Sequence, residues 1–341
     1  MEPVKKAKLD SNFPEISKED AHETFYEEKR TVAQGISRIS GLRKFNNWVK
    51  SVLLNEYTQQ GFTVLDMCCG KGGDLMKFKA NKIAFYVGID MSKNSIQEAE
   101  ERFKTIKPGF EGILIAGDVA DPEYTIYHRL GDYELEFDLV SCQFALNYLW
   151  ESEDQVLRVF ENMSRWLKPG GVIVSTITDA NVLVKKLRVL AKNYTFGNEY
   201  YSVKFDREEF PRNQEPFGFK YGFYLEDSVG EAISRAEGLE IKYVPEFLII
   251  KETLEAIASR FDLELVYSRN FHSFYEEYQK KYSKLFNKVM KGNTLDESLW
   301  DVAYLYMVVV LRKKGTFEPP PKHSHADSRV EIRYLRHIGI D

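Results

Sequence analysis

Apolar residues recur along this chain with two different periods, and the change between them divides the chain. Across residues 26–57 apolar side chains recur every three or four residues, which predicts helix. These positions are Ile36, Ile39, Leu42, Phe45, Val49 and Leu53. From residue 62 onward, short apolar runs alternate with longer stretches of helical period. The pattern therefore predicts an α/β fold.

Five apolar runs between residues 62 and 176 have the length of buried strands. They lie at residues 62–67, 85–90, 112–117, 137–144 and 172–176. Helices are predicted from residue 74 and over residues 94–103, 152–167 and 182–192. Strands that alternate with helices in this way form a parallel sheet with helices on both faces.

The segment after residue 195 is rich in aromatic residues and less regular in period. It predicts strands at residues 200–205, 264–267 and 306–311, with a loop rich in Pro and Gly and the aromatic run 219–223 after the first of them. Helices are predicted at residues 229–236, 252–261 and 274–290. The predicted domain covers residues 26–314, with helices over 26–57, a core over 62–192 and sheet completion over 195–314. Tails are predicted at residues 1–25 and 315–341.

Composition narrows the class of protein. An apolar fraction of 43% is typical of a globular chain. The 47 basic and 52 acidic side chains leave a net charge of −5, which argues against coating long stretches of nucleic acid but allows a local basic pocket. Cys68, Cys69 and Cys142 suit neither a disulfide framework nor a metal site. Because of these cysteines we expect an intracellular protein without a metal. No apolar run has the length of a membrane span, so we also expect the protein to be soluble.

The two predicted tails differ in character. Lys5, Lys6 and Lys8 form a short basic cluster within residues 3–10, which resembles a nuclear-localisation signal and predicts a nuclear protein. The C-terminal tail has a proline triplet and mixed charge, and we expect much of it to be mobile.

A glycine-rich turn follows the first predicted strand. Asp66 lies in the strand, and Cys68, Gly70, Gly72 and Gly73 follow it. Glycines let a ligand approach the backbone closely, and the first helical amides offer hydrogen-bond donors. The Asp66 carboxylate would repel a pyrophosphate, which argues against a nicotinamide-binding turn. It suits a turn around an amino-acid cofactor with a cationic centre.

Two further acids end the next two predicted strands. Asp90 ends the second strand and Asp118 follows the third. An acid in the place of Asp90 accepts hydrogen bonds from ribose hydroxyls, and one in the place of Asp118 suits the adenine amine. Open α/β sheets bind ligands at the carboxyl ends of their strands. With the turn, these acids resemble the cofactor site of class I methyltransferases, which implies S-adenosyl-L-methionine.

Five short motifs carry a closer resemblance. They are residues 45–51 (FNNWVKS), 70–75 (GKGGDL) with Lys77, 141–144 (SCQF), 196–199 (FGNE) and 244–247 (VPEF). They resemble the eukaryotic mRNA cap guanine-N7 methyltransferases, over residues 26–312. The resemblance implies a Rossmann-like, mostly parallel seven-stranded sheet with helices on both faces and a C-terminal antiparallel strand. It also implies methyl transfer from S-adenosyl-L-methionine to N7 of the guanosine cap.

The resemblance assigns two groups of site residues. The cofactor group is Lys50, Cys68, Gly70, Asp90, Asp118, Gln143 and Tyr148. The cap group is Asn46, Asn47, Lys71, Lys77, Phe144, Asn147, Tyr221, Glu246 and Tyr306. Lys50 is expected to contact the cofactor carboxylate. Lysines suit the triphosphate, aromatic rings offer stacking faces, and Glu246 can accept from guanine N1–H and its amine.

The chain departs from the family pattern at three places. Cys68 stands where the family usually has a glycine, and Asn147 stands where it usually has a histidine. The spacing between Tyr221 and Glu246 is longer than the family spacing. We interpret residues 227–242 as an insertion near the cap pocket.

The predicted chemistry needs no general base, because guanine N7 has a free lone pair and no proton. The six histidines lie outside the motifs. Catalysis is therefore predicted to come from positioning and electrostatic support, with Glu246 and Tyr148 as the positioning residues. The expected partner is the capped RNA 5′ end. Candidate protein partners are the capping guanylyltransferase, RNA polymerase II or a small activating subunit.

Two other functions stay open at this point. A class I methyltransferase that acts on a small molecule or a protein would share the sheet and the cofactor site. It would leave Lys71, Lys77 and Glu246 without a common purpose. A methyltransferase-like module that binds without catalysis is suggested by Cys68 and Asn147, while the retained cofactor acids argue against it.

Overall fold

Helices and strands alternate through the first half of the computed structural model, which describes residues 37–120, 135–206, 216–235, 238–318 and 330–334. The helices are α1 (Ser40–Tyr57), α2 (Leu75–Asn81), α3 (Lys93–Ile106), α4 (Glu153–Arg165), α5 (Ala180–Leu190), α6 (Lys251–Arg260), α7 (Phe271–Tyr278), α8 (Ser283–Met290) and α9 (Glu297–Ala303), with a short 3-10 helix at Leu146–Leu149. The strands are β1 (Thr63–Met67), β2 (Phe85–Asp90), β3 (Glu111–Ala116), β4 (Phe137–Gln143), β5 (Leu167–Thr178), β6 (Thr195–Gly197), β7 (Tyr201–Phe205), β8 (Lys220–Leu225), β9 (Glu231–Arg235), β10 (Gly238–Lys242), β11 (Val244–Phe247), β12 (Leu263–Asn270), β13 (Tyr306–Lys313) and β14 (Val330–Tyr334).

The main sheet has eight strands in the order β12-β13-β5-β4-β1-β2-β3-β14. Neighbours from β5 to β14 pair in parallel, while β13 runs antiparallel to both β5 and β12. The predicted α/β class, with a mostly parallel sheet and one C-terminal antiparallel strand, is confirmed. The predicted seven strands are present, and β14 adds an eighth at the edge.

Two apolar cores cover the two faces of this sheet. Successive residues of a strand point to opposite faces, so Val64 of β1 lies in one core and Leu65 in the other. Helices α1, α3, α5, α7 and α9 contribute to the Val64 core, and α4 and α6 contribute to the Leu65 core. The predicted helices on both faces are therefore confirmed. No helix in the described part of the chain has the length and apolarity to cross a membrane.

A smaller antiparallel sheet, in the order β11-β8-β7-β6, carries the aromatic segment after residue 195. Beside it, β9 and β10 pair as a hairpin within residues 227–242. The predicted helix at residues 229–236 is wrong. Gly230 has φ +71°, and a Cβ there would lie 2.4 Å from the Lys242 carbonyl oxygen. The close return of β10 requires glycine, and a short apolar run does not distinguish strand from helix by its period.

The long helix predicted at residues 274–290 is also wrong, because two helices, α7 and α8, occupy this segment. Between them, the Lys281 ammonium and the Tyr282 hydroxyl both bond to the Glu56 carboxylate near the end of α1. This contact joins residues far apart in the chain, so the local apolar period carries no sign of the break.

Part of the predicted C-terminal tail belongs to the sheet. Residues Val330–Tyr334 pair in parallel with β3, which corrects the expectation of mobility for this segment. The basic cluster at residues 3–10 and the predicted helical residues 26–36 lie outside the described residues.

Asp138 joins three strands of the main sheet from a fully buried position. Its Oδ2 accepts a hydrogen bond from the Thr63 backbone N–H at 2.8 Å, and its Oδ1 pairs with the Lys168 ammonium at 2.8 Å. Asp138→Ala would leave both donors without a partner, so we expect a loss of about 2–4 kcal/mol in the free energy of unfolding by urea. The exposed Glu264→Ala is the control, and an equal loss in both variants would contradict the prediction.

Candidate active site

A turn of strained backbone connects β1 to α2. Cys68, Gly70 and Gly72 all have positive φ, at 55°, 51° and 67°. A residue with a Cβ pays about 1–2 kcal/mol for this conformation, so Cys68 is held there at a cost that glycine would avoid. The backbone N–H of Gly70 donates to Asp90 Oδ2 at 2.8 Å, which ties the turn to the end of β2.

The carboxyl ends of β1 to β4 meet at one edge of the main sheet. The pairings of Met67 with Cys142, and of Asp90 with the last residue of β3, align these ends. Asp90 ends β2, Gln143 ends β4 and Asp118 lies two residues beyond β3. The polar side chains predicted from the strand ends therefore lie around the turn, where parallel sheets bind ligands.

The two acids at this edge differ in environment. Asp90 is largely buried, and its Oδ1 accepts from the Ser92 backbone N–H at 3.0 Å. Burial raises the pKa of Asp90, while the N–H groups of Ser92 and Gly70 oppose the rise. Asp118 is exposed, and its Oδ1 accepts from the Ala120 N–H at 2.8 Å. A carboxylate oxygen accepts more than one hydrogen bond, so both acids keep acceptor capacity for a ligand.

Asp66 lies beneath the turn and is buried. Burial raises the pKa of Asp66 to about 7, and Asp74 adds to the rise, whereas hydrogen bonds from Tyr86 and Ser141 oppose it. The Tyr86 hydroxyl donates to Asp66 Oδ2 at 3.0 Å. Tyr86 reaches Asp66 across Gly88, where a Cβ would lie 2.8 Å from the Tyr86 oxygen. The absence of a side chain at Gly88 therefore allows this contact.

Asp74 lies between two lysines. Its Oδ1 is 2.8 Å from Lys50 Nζ and 2.7 Å from Lys77 Nζ. Burial would raise the pKa of Asp74, but the two ammonium groups outweigh it and lower the pKa to about 2. Lys77 also donates to Asn47 Oδ1 at 3.1 Å. While the neighbouring Asp66 is protonated, two cations around one anion leave a net positive charge, which suits an anionic ligand group.

Gln143 is held at the end of β4 by a polar frame. Its Nε2 donates to Ser141 Oγ and to the Val174 carbonyl oxygen, both at 3.2 Å. Its Oε1 accepts from the Thr176 hydroxyl at 3.1 Å. The side chain is therefore fixed in orientation beside the turn.

A second cluster of polar groups surrounds Glu246 on β11. This carboxylate is buried and accepts from the Tyr148 hydroxyl at 3.0 Å and from the Tyr221 hydroxyl at 2.5 Å. Tyr221 lies directly opposite Glu246 in the pairing of β8 with β11. Burial raises the pKa of Glu246 to about 7, while the two hydroxyl donors oppose the rise.

Thr178, the last residue of β5, connects this cluster to Asn147. The Thr178 hydroxyl lies 2.9 Å from the Tyr221 hydroxyl and accepts from Asn147 Nδ2. Asn147 Nδ2 also donates to the Phe247 carbonyl oxygen at 3.1 Å, and its Oδ1 accepts from the Thr178 N–H at 3.1 Å. Because Tyr221 donates to Glu246, the Thr178 hydroxyl donates to Tyr221. The chain of donors thus runs from Asn147 to the Glu246 carboxylate.

Aromatic rings form a third group. Phe144 follows β4 with φ +57°, and the Thr176 carbonyl and hydroxyl oxygens both accept from its N–H at 3.0 Å. Its ring meets Tyr306 edge-on at 5.2 Å between centroids, and Phe271 at 6.0 Å. A bulky residue in the left-handed region is uncommon and persists where the surroundings hold it. Phe144 is therefore a constrained residue at the ligand edge.

The described residues contain no group of three or more His, Cys, Asp or Glu side chains arranged to hold a metal ion. His272 stacks on Trp300 at 4.1 Å between centroids, and its Nε2 lies 2.8 Å from the Trp300 carbonyl oxygen. The remaining five histidines lie outside the described ranges.

The family model described as the mRNA (guanine-N(7))-methyltransferase domain matches residues 11–314. The chain belongs to this family. Similar relatives are the mRNA cap guanine-N(7) methyltransferase 1 of Oryza sativa subsp. japonica, at 37% identity over 89% of this chain and 83% of the relative, and that of Arabidopsis thaliana, at 36% over 82% and 76%. The mRNA cap guanine-N(7) methyltransferase of Saccharomyces cerevisiae is 31% identical over 86% and 70%.

Solved structures agree with the class of fold. The CcbJ methyltransferase from Streptomyces caelestis matches with a TM-score of 0.52 at 14% identity, over 87% of this chain and 97% of that chain. At this identity the likeness concerns the fold alone, and it agrees with the class I methyltransferase sheet.

The predicted residues of this cap methyltransferase family member fall into contacting groups. The Gly70 N–H donates a hydrogen bond to Asp90. Lys77 donates to Asn47, and Lys77 and Lys50 both form an ion pair with Asp74. It also joins Tyr148, Tyr221 and Asn147 to Glu246 directly or through Thr178, and Phe144 to Tyr306. Lys71 instead pairs with Glu98 at 2.9 Å. Asn46 Oδ1 is buried without a hydrogen-bond partner in the described part of the chain.

Three residues outside the predicted set organise the site of this family member. Asp74 binds both lysines, Tyr86 binds Asp66, and Thr178 links Asn147 to Tyr221. The spacing of Asp74 and Lys77, one helical turn apart, is a signal that could have indicated their pairing. The other contacts join separate strands and carry no local signal.

Thr178→Val keeps the side-chain shape but removes the hydroxyl shared by Asn147 and Tyr221. Two buried polar groups would lose a partner, so we expect a loss of about 1–3 kcal/mol in the free energy of urea unfolding. Thr178→Ser should retain most of the stability because it keeps the hydroxyl. The exposed Thr105→Val is the control. Equal stability of the Val and Ser variants at residue 178 would contradict the proposed donor chain.

Proposed function

We propose that this chain transfers the methyl group of S-adenosyl-L-methionine to N7 of the guanosine cap at the 5′ end of mRNA. The observation that carries the proposal is the buried Glu246 carboxylate, oriented by Tyr148 and Tyr221 within the family match. Guanine presents its N1–H and amine as adjacent donors, which adenine does not. A carboxylate has about four acceptor positions, so Glu246 keeps capacity for both.

The residues around the turn fit the cofactor. The net positive cluster of Lys50, Lys77 and Asp74 suits the carboxylate of its methionine part. Asp90 and Asp118 keep acceptor positions for the ribose hydroxyls and the adenine amine. When bound, S-adenosyl-L-methionine supplies a methyl group on cationic sulfur.

The remaining cofactor contacts are proposed from their places at the sheet edge. Cys68 and Gly70 would contact the cofactor through backbone, since their strained turn brings the main chain to the edge. Gln143, fixed by its frame, and Tyr148, which also binds Glu246, would lie between the cofactor and the base.

The cap would lie against the second and third clusters. Phe144 and Tyr306 offer the aromatic faces for the purine. The triphosphate would take Lys71, Lys77 and the side-chain amide groups of Asn46 and Asn47, and Asn47 Oδ1 already accepts from Lys77. Asn147 is buried and acts through Thr178 on the orientation of Tyr221 and Glu246.

The proposed mechanism is in-line displacement without a general base. Guanine N7 has no proton to remove, so the protein orients the base and supports the positive charge that the ring gains. Glu246 and Tyr148 hold the base edge. Glu246 also supplies negative charge when ionised, which stabilises the cationic product.

The decisive assay is transfer of labelled methyl from S-adenosyl-L-methionine to guanosine-capped RNA. Uncapped RNA and adenosine-capped RNA are the matched controls. We expect label in the guanosine cap alone, at N7. Label in protein or a small molecule with none in the cap would favour the other methyltransferase function, and cofactor binding without any transfer would favour a non-catalytic module.

We further propose that the chain acts in the nucleus. The basic cluster at residues 3–10 supports import, and the mRNA substrate of the family is consistent with that compartment. Candidate protein partners are the capping guanylyltransferase, RNA polymerase II or a small activating subunit.

Asp90→Ala removes the acceptor proposed for the ribose. We expect cofactor affinity, measured by calorimetry, to fall by about 2–4 kcal/mol, because hydrogen bonds to a charged group are worth about 1.5–3 kcal/mol and are not additive. The exposed Asp154→Ala should bind normally. Unchanged affinity in a folded Asp90 variant would refute the ribose assignment.

Glu246→Gln keeps the side-chain shape but turns one acceptor oxygen into a donor amine facing guanine donors. We expect kcat/KM for capped RNA to fall roughly 30- to 1000-fold. Cofactor affinity should hardly change, because Glu246 lies in the cap half of the site. Weak cofactor binding with normal turnover at saturating cofactor would place Glu246 in the other half.

The raised pKa of Glu246 predicts a pH dependence. Because burial raises it to about 7, the ionised acceptor is gained as the pH rises. Below about pH 7, kcat/KM for the cap should therefore rise up to about tenfold per pH unit and then level off. Asp66 also titrates near this pH, so the control is Glu246→Gln, in which this limb should disappear. A limb that persists in the variant would assign it to another group.

A further inference from the structure

A cavity of about 720 Å³ lies beside the Glu246 cluster, between α5, the end of β12 and the segment after β11. Its apolar lining includes Val184, Leu248, Ile249, Met307 and one aromatic ring, Phe219. We call this cavity the α5 groove.

The α5 groove adjoins the proposed cap pocket along three backbone segments. Asp179 follows Thr178 at the end of β5. Leu248 lies two residues after Glu246 on the segment that leaves β11, and Phe219 lies two residues before Tyr221. A polymer attached to a group in the pocket therefore has the groove as an adjoining surface.

The groove is basic although the chain has a net charge of −5. Among its lining residues are Lys185, Arg188, Lys251 and Arg269, with Asp179 as the one acid in the described lining. The Asp179 carboxylate already caps α5 and accepts from Asn270 Nδ2 at 3.1 Å. The local charge of the groove is therefore positive.

Two of these cations are available to a ligand. Lys251 and Arg269 have acidic partners at 3.6 Å and 3.7 Å, whereas Lys185 and Arg188 are exposed and form no ion pair with another residue of the described ranges. In the pocket, by contrast, Lys71 is paired with Glu98, and Lys50 and Lys77 both bond to Asp74. Lys185 and Arg188 therefore add unpaired positive charge to that of the partly neutralised lysines of the pocket.

Lys185 and Arg188 lie along one face of α5, together with the amide side chain of Asn181. Asn181, Lys185 and Arg188 are spaced by four and three residues, so they share that face and span about 10 Å at 1.5 Å per residue. A row of donors over this length can contact two successive phosphates of an extended strand.

We propose that the α5 groove binds the single-stranded RNA that follows the cap. Lys185 and Arg188 contact its phosphates, and the Phe219 ring and the aliphatic lining contact base faces. The inference rests on the proposed function, because it takes capped RNA as the substrate. Continuity with the pocket and free cations favour RNA over an acidic peptide with apolar anchors.

The test compares the wild type with the double variant Lys185→Gln, Arg188→Gln on a cap dinucleotide and on capped RNAs of increasing length. We expect KM for the longer RNAs to rise about tenfold, while KM for the dinucleotide stays unchanged. The slope of log kcat/KM against log salt should become shallower by about 1.4, since each phosphate contact contributes about 0.7 for a single strand. The control is Lys284→Gln with Lys288→Gln, an exposed pair on α8.

Fluorescence anisotropy with labelled capped RNA makes the same comparison without catalysis. If the wild type binds RNA but does not methylate any cap, the proposed function fails and the groove is judged by binding alone. Unchanged RNA affinity and salt slope in the α5 variant would overturn the groove proposal and favour a protein ligand. An equal loss in the α8 control would also overturn it, because the effect would then be general charge.

Discussion

Burial of carboxylates at one edge of a parallel sheet is the constraint on which the rest of the site depends. A buried carboxylate must find donors, and at this edge they come from other elements. Asp74 takes two ammonium groups, from Lys50 of α1 and Lys77 of α2, and its pKa falls to about 2. Glu246 takes two tyrosine hydroxyls instead, and its pKa rises to about 7. Two carboxylates of the site thus differ in charge at neutral pH: Asp74 is permanently ionised, whereas Glu246 titrates near neutrality.

The departures from the family pattern have physical consequences that a motif comparison does not show. The Asn147 side-chain amide forms hydrogen bonds with Thr178 and with the Phe247 carbonyl oxygen at the end of β11. Through Thr178 it fixes the orientation of Tyr221, which donates to Glu246. A histidine ring could not reproduce all three of these hydrogen bonds, because its two nitrogens cannot supply an amide's two donors and its acceptor together. Cys68 occupies a left-handed position at the turn, where glycine would be relaxed. Asn147 therefore fits its surroundings through three hydrogen bonds, whereas Cys68 is held in the turn at a conformational cost.

The basic residues of the pocket and those of the α5 groove differ in whether they are paired with acids. The lysines that resemble cap contacts are engaged by Asp74 and Glu98, which holds them in place but reduces their net attraction for phosphate. Lys185 and Arg188 on α5 are exposed and form no ion pair with another residue of the described ranges. In a chain of net charge −5, this local placement of cations is the basis of the proposed RNA-binding groove.

The sequence by itself determined the α/β class, the positions of the core strands along the chain and the acids at their ends, because alternation and glycine-rich turns are local signals. It did not determine the β9–β10 hairpin, the break between α7 and α8 at Lys281, or the addition of β14, since each depends on contacts between distant segments. The same holds within the site. Asp90 was predicted from its position, whereas Thr178 was missed. Its role arises only when β5, β8 and the 3-10 helix meet, and a hydrogen bond between separate elements leaves no periodic trace in the chain.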